Sequence, residues 1–281
     1  VSIKVRIEES AAALRKALGT LHVPETVIVL GSGFKGVADQ LENVRSVELS
    51  SIRHFAVPAV AGHGSNLLIG DLSGERVCVL TGRVHLYEGH DADDVAHPIR
   101  VLAHLGAKSV LLTNASGSLS KSVKPGSLVL VNDQINLTGR TCLTGAADIG
   151  PQFPSMAGAF DEEWSRRIAS LDRKIKRGIY VGVLGPAYET PAEARMLARL
   201  GAHVVGMSTV LEVIAARQLG LRVACLSFVT NMSGGIGETL THDEVLNMAR
   251  KHGPWLSQVV TKAVGVNRPD SKPQTSRKKK S

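Results

Sequence analysis

Between residues 180 and 233, three apolar runs alternate with two segments of helical period. The runs, at 180–184, 203–206 and 222–229, are short and rich in β-branched residues, the pattern of strands buried on both faces. Thr190-Pro191-Ala192-Glu193 and Thr209-Val210-Leu211-Glu212 each have the spacing of a capping box. Gly201 and Gly220 fall where the two intervening helices should end. The pattern predicts β-α-β-α-β. A right-handed crossover makes neighbouring strands of such a unit parallel, which puts Tyr188-Glu189, Met207-Ser208 and Thr230-Asn231 at the carboxyl edge of one sheet. Open α/β sheets bind ligands there, and this edge offers a carboxylate, a hydroxyl at a helix N-terminus and a side-chain amide.

The same reading extends along the chain. An amphipathic helix over 8–19, with Ala12, Leu14, Ala17 and Leu18 inward, precedes a strand at 26–30 that runs into Gly31-Ser32-Gly33-Phe34-Lys35-Gly36. A hairpin is expected from 66–70 and 76–80, then a helix over 95–106 and a strand at 109–113 ending in Asn114-Ala115-Ser116-Gly117. Another strand, 127–131, leads to a Gly/Thr/Pro-rich stretch from 136 to 159. A loop of that length is usually functional or disordered, and this one carries Phe153. Thr241-His242-Asp243-Glu244 is a further capping box, with His242 in the first helical turn.

Composition narrows the class. With 281 residues and 43% apolar positions the chain can bury one large α/β domain, expected over 1–266. The formal charge of +8 suggests nucleic acid until it is located. Residues 268–281 hold six Lys or Arg against one Asp, +5 in all, which leaves +3 for the body. A disordered basic tail is therefore expected over 267–281, and no specific nucleic-acid binding, because the body shows no basic stripe with interleaved aromatics. Cys78, Cys142 and Cys225 form no C-x-x-C, so no metal site is indicated. The first residues lack an apolar signal core, and no run reaches the roughly 18 residues of a membrane span. A cytoplasmic location with no membrane partner is expected.

Two stretches carry candidate chemistry. Gly31 to Gly36 is formally a G-x-G-x-x-G, open to a dinucleotide reading or to a single phosphate held by backbone N–H groups and Ser32. In an extended Thr81-Gly82-Arg83-Val84-His85-Leu86-Tyr87-Glu88-Gly89, Arg83, His85 and Tyr87 share one face: a guanidinium fork for an oxyanion, a second donor, and a ring with a polar tip. His63 and His242 stay undecided between ligand and surface roles.

Taken together, GSG at 31–33, GRVHLYEG at 82–89, TNASG at 113–117, GPAYET at 185–190, VVGMSTVLEV at 204–213 and VTN at 229–231 resemble the trimeric-type purine nucleoside phosphorylases. The resemblance runs from about Val27 to Leu246. It implies a single-domain mixed β-sheet flanked by helices, and cleavage of purine ribonucleosides and deoxyribonucleosides (inosine, guanosine) by inorganic phosphate to free base and (deoxy)ribose 1-phosphate. Phosphate falls to Ser32, His63, Arg83, His85, Ala115 and Ser208. The nucleoside falls to Tyr87, Phe153, Tyr188, Glu189, Met207, Thr230, Asn231 and His242, with Asn231, Glu189 and His85 catalytic. Phe153 would enter from an adjacent subunit, which implies a homotrimer, and no metal or organic cofactor is required. Tyr188 stands where many members have Phe, and Ser118 replaces a common Gly. Alternatives are a methylthioadenosine or xanthosine phosphorylase of the same fold and, more distantly, an NAD(P)-binding oxidoreductase resting on GSGFKG alone.

Overall fold

A computed structural model describes residues 1–58, 64–234 and 242–267, and only the backbone of 242–247, 249 and 250. His63 and the expected tail beyond Asn267 lie outside the described residues. In chain order the elements are α1 (Ile3–Leu18), β1 (Thr26–Val29), β2 (Glu42–Glu48), β3 (Asn66–Leu72), β4 (Glu75–Leu80), α2 (Ala92–His104), β5 (Ser109–Ser118), β6 (Leu128–Leu137), α3 (Glu162–Ala169), β7 (Ile175–Val183), α4 (Pro191–Arg199), β8 (Val204–Gly206), α5 (Val210–Gln218), β9 (Arg222–Met232) and α6 (His242–Gly265).

Among the described residues the strands form one mixed sheet in the order β2-β3-β4-β1-β5-β8-β7-β6-β9, and β9 also pairs with β5. The run β5-β8-β7-β6-β9 therefore closes on itself like a small barrel, while β2, β3, β4 and β1 extend from it as an open sheet. The expected β-α-β-α-β order is found as β7-α4-β8-α5-β9, but its strands are not all parallel neighbours. β7 and β8 are parallel neighbours, but β9 lies between β5, parallel, and β6, antiparallel, and β8 meets β5 antiparallel. The length of the strands is the reason. β5 and β9 are ten and eleven residues long, and Thr230 of β9 is an extra residue between the pairs Ser116/Val229 and Gly117/Asn231; the first half of β5 serves β1 and its last two residues pair with β8.

The alternation of strand residues builds a core on each face. Val27 and Val29 of β1, Val110 and Leu112 of β5, and Val223 and Cys225 of β9 pack with Leu14 of α1, Ile99 of α2 and Val213 of α5. Their neighbours Ile28, Leu111, Ala224 and Leu226 pack oppositely with Trp164 of α3 and with Leu256 and Val260 of α6. α4 covers the barrel side through Ala194 and Leu197, against Val181 and Val205. The central strands are thus buried on both faces, as the unbroken apolar runs require, while the edge strand β2 is largely exposed. α1 starts earlier than its pattern suggested and turns Ile7, Ser10, Ala11, Leu14 and Leu18 inward; Ala12 faces solvent.

Capping tests the two helix signals separately. At α4 the box forms: Glu193 N–H donates to Thr190 Oγ1 at 3.2 Å and Thr190 N–H donates to Glu193 Oε2 at 2.8 Å. At α5 it does not. Thr209 has φ +73°, its hydroxyl accepts from Asn114 Nδ2 at 2.8 Å, and the Glu212 carboxylate is turned to Arg83. Both residues are drawn into the site beneath the helix.

Candidate active site

The carboxyl ends of β1, β4, β5, β8 and β9 and the segment after β7 surround a cavity of about 330 Å³. Its glycines are required by close approach. A Cβ at Gly31 would lie 2.4 Å from the Thr113 carbonyl oxygen, so glycine lets the end of β1 abut β5, and Gly31 N–H donates to Thr113 Oγ1 at 3.0 Å. The chain after Gly33 enters a short 3₁₀ turn, Lys35–Gln40, and then β2, which pairs antiparallel with β3. No crossover helix follows, so the unit that a dinucleotide fingerprint opens is not formed. Ser32 lines the cavity.

Arg83 and His85 line one end of the cavity, in the extended conformation expected. Leu86–Glu88 then forms a 3₁₀ turn instead of continuing extended, yet Tyr87 still reaches the cavity, its ring stacked on His85 with centroids 4.7 Å apart and planes 14° from parallel. Glu88 Oε1 accepts from His85 N–H at 2.8 Å and lies 2.8 Å from His85 Nδ1. Burial holds the His85 imidazole below its ordinary pKa against the opposing pull of Glu88, and the Arg83 charge lowers it further. Burial also pushes the Tyr87 hydroxyl up to about 12, so it is a neutral donor.

Arg83 is held loosely at all three nitrogens. Nε lies 3.2 Å from Glu212 Oε1 as an ion pair without hydrogen-bond alignment, and Nη1 lies 3.4 Å from Ser208 Oγ and Nη2 3.5 Å from the Val29 carbonyl oxygen, both at the long end of hydrogen bonding. Glu212 is 2% exposed; burial raises its carboxyl pKa while Arg83 pulls it down. Ser208 N–H donates to the Tyr180 hydroxyl at 3.3 Å, and Gly206 makes room for that hydroxyl, which would stand 2.4 Å from a Cβ there. Ala115 completes this end.

At the other end stand Tyr188, Glu189, Met207, Thr230 and Asn231. Thr230 Oγ1 donates to Asn231 Oδ1 at 2.9 Å, which fixes the amide with its Nδ2 side available as a donor. Nδ2 makes a 3.3 Å contact to the Met232 carbonyl oxygen and approaches the open Gly117. Ser233 Oγ donates to Glu189 Oε2. Gly185 backs onto Met207, where a Cβ would fall 2.4 Å from Sδ.

Thus Ser32, Arg83, His85, Tyr87, Ala115, Tyr188, Glu189, Met207, Ser208, Thr230 and Asn231 line one cavity. Phe153 does not; it is 88% exposed on the long loop after β6. His63 lies outside the described residues, and His242 opens α6, its side chain undescribed. Glu88, Tyr180, Glu212 and Ser233 were not singled out from the sequence. Glu212 had a signal, as the lone carboxylate in the apolar run Val210-Leu211-Glu212-Val213, and Glu88 stands three residues from His85. Among the described residues no group of His, Cys, Asp and Glu is arranged to hold a metal ion, and no helix is long and apolar enough to cross a membrane.

A sequence model described as the phosphorylase superfamily matches residues 25–265, and the chain belongs to that superfamily. Within it, its relatives are purine nucleoside phosphorylases. Purine nucleoside phosphorylase 1 of Bacillus subtilis is 40% identical over 256 residues, covering 89% of this chain and 94% of that protein. The Bos taurus purine nucleoside phosphorylase is 36% identical over 252 residues, covering 85% and 87%. The crystal structure of Schistosoma mansoni purine nucleoside phosphorylase in complex with adenosine superposes with a TM-score of 0.88 at 34% identity, covering 96% of this chain and 100% of that one.

Proposed function

We propose that the reaction this chain performs, purine nucleoside phosphorolysis, is directed at inosine, guanosine and their deoxy counterparts, with inorganic phosphate as co-substrate. The observation that carries this reading is one cavity lined both by an anion-binding set, Arg83, His85 and Ser208, and by a carboxylate and an amide, Glu189 and Asn231. A dianion against Arg83, with the Ser32 hydroxyl and the backbone of Ala115 nearby, lies below the anomeric carbon of a nucleoside whose base reaches Glu189. A phosphate oxygen forms the new bond to that carbon as the glycosidic C–N bond breaks and its electron pair passes to the base. Positive charge on the sugar is countered by the phosphate, and negative charge on the purine is met at N7 by Asn231 Nδ2. The departing base takes a proton from solvent. The reaction read this way needs neither metal nor organic cofactor. His63 and His242 complete the phosphate and ribose contacts in this proposal, and the enzyme works in the cytoplasm.

Purine nucleoside phosphorylase of Schistosoma mansoni has been solved with adenosine and with inosine, and a schistosoma purine nucleoside phosphorylase with hypoxanthine. Binding alone therefore does not define base selectivity, and turnover does. Glu189 accepts from the N1–H of a 6-oxopurine but meets the N1 lone pair of adenosine. Sites built on such pairing discriminate by about 10⁴-fold. The test is the inosine to adenosine ratio of kcat/KM. Asn231→Asp, which exchanges a donor for an acceptor facing N7 and O6, should lower the ratio. An unchanged ratio would remove Asn231 from base reading.

We further propose a homotrimer in which Phe153 covers a neighbouring subunit's nucleoside. The fully exposed aromatic on a long ordered loop, outside its own cavity, supports this.

A further inference from the structure

Glu189 stands on the exposed segment between β7 and α4, next to Tyr188, which is 61% exposed. Asn231 stands on β9, a deeply buried strand. Nothing in the local backbone of either fixes one against the other, yet a base read at both edges needs their separation held. The two residues after Met232 supply the connection. Ser233 is 2% exposed; its N–H donates to the Ser118 carbonyl oxygen at 2.8 Å, and its Oγ donates to Glu189 Oε2. Gly117, which faces Asn231 Nδ2, also leaves room for Ser233: a Cβ at 117 would fall 3.1 Å from Ser233 Cβ. Gly234 has φ +65° and lies against the start of α4, where a Cβ on it would fall 2.2 Å from Ala194 Cβ and 3.2 Å from the Thr190 carbonyl oxygen.

We propose that Ser233 and Gly234 are positioning residues: a clasp that ties the end of β9 to the Glu189 segment and so sets selectivity for the purine's N1–H edge. The inference rests on Glu189 reading the base. The serine hydroxyl, a donor, occupies one carboxylate oxygen. The second oxygen is left for the purine. Ser118 and Gly117 anchor the clasp on β5, so the carboxylate is registered to the same strand that carries the backbone of the phosphate end. Glycine at 234 is required twice, by its left-handed backbone and by contact with α4.

The experiment is a double-mutant cycle on Ser233→Ala and Glu189→Gln, read as kcat/KM for inosine and for adenosine and as the KM for phosphate. A lost hydrogen bond to a charged group predicts about a 10-fold fall in kcat/KM for inosine in Ser233→Ala. The change for adenosine, which has no N1–H to offer, should be smaller, and the phosphate KM should be unmoved. In the Glu189→Gln background Ser233→Ala should have little further effect, because its action passes through that carboxylate. Gly234→Ala should reproduce the loss of selectivity by displacing the clasp from α4. Additive losses in the cycle, a parental ratio in Ser233→Ala, or equal losses for both nucleosides with a shifted phosphate KM would each overturn the clasp. A parental ratio in Glu189→Gln alone would instead refute Glu189 as the base reader, and the clasp with it.

Discussion

Replacing Arg83 by Met tests two consequences of one arrangement. The residue faces the cavity, and it is also half of a buried ion pair whose other half, Glu212, has complete burial acting on its carboxylate. Removing one member of such a pair costs about 3–5 kcal/mol, because the remaining charge is left buried without its counter-charge. The loss should depend on pH in a definite direction. Without the guanidinium only the Thr209 backbone N–H opposes burial, so the folded variant keeps the Glu212 proton at a pH where the unfolded chain, near 4.5, has released it. Stability contributed by a raised carboxyl is present at low pH and lost as pH rises. The deficit of Arg83→Met relative to the parent should therefore shrink on going from pH 8 to pH 6, by up to about 1.4 kcal/mol per unit. Adding Glu212→Leu removes the orphan charge and should bring stability back to within about 2 kcal/mol of the parent. Phosphate binding should not return, since about two charge-assisted hydrogen bonds are gone, and its KM should stay raised by about 10- to 100-fold. Urea unfolding at both pH values and phosphate saturation curves read these effects separately. Arg83→Met as stable as the parent at pH 8, or a double variant with the parental phosphate curve, would refute the reasoning.

Two further outcomes follow from residues outside the cavity. His97 is 2% exposed, with Nε2 2.8 Å from Ser10 Oγ; burial first, then the charges of Arg6, His54 and Arg100, lower its pKa from 6.5 to about 3 against the pull of Asp94. The unfolded chain binds a proton that the folded chain refuses between those values, so stability is lost on acidification, by about 2 kcal/mol at pH 5 relative to neutral pH. His97→Gln should lose about that much less between pH 7.5 and pH 5 in urea unfolding, and equal losses would contradict it. Phe153→Ala should raise the nucleoside KM while leaving the phosphate KM alone, in a particle of three chains by light scattering. A fully active monomer at assay concentration would contradict the shared site.

The elements were legible where local signals decided them. Thr190 to Glu193 reads as a cap and forms one, and the alternation of Val27, Ile28 and Val29 marks a strand buried on both faces, as found. Sheet order was not legible: β9 lies beside β5 and β6 because of strand length and a bulge at Thr230, neither of which has a periodic signature. At the site, the polar ends of strands announced themselves as breaks in apolar runs, so Arg83, Ser208, Glu189 and Asn231 could be named. Their supports could not. Glu212 resembled a cap until Arg83 was beside it, and Ser233 lay in a Gly-rich stretch with nothing to distinguish its hydroxyl from a loop residue's. Residues that act through another residue carry their meaning in three dimensions only.

The most direct test of the whole account is release of hypoxanthine from inosine by the purified chain, with and without inorganic phosphate, with the sugar product followed by phosphorus NMR. The cavity's phosphate end predicts turnover that requires phosphate and yields one ribose 1-phosphate for each base released. Equal rates in phosphate-free buffer, with free ribose as the product, would make the chain a hydrolase and contradict the assignment of Arg83, His85 and Ser208.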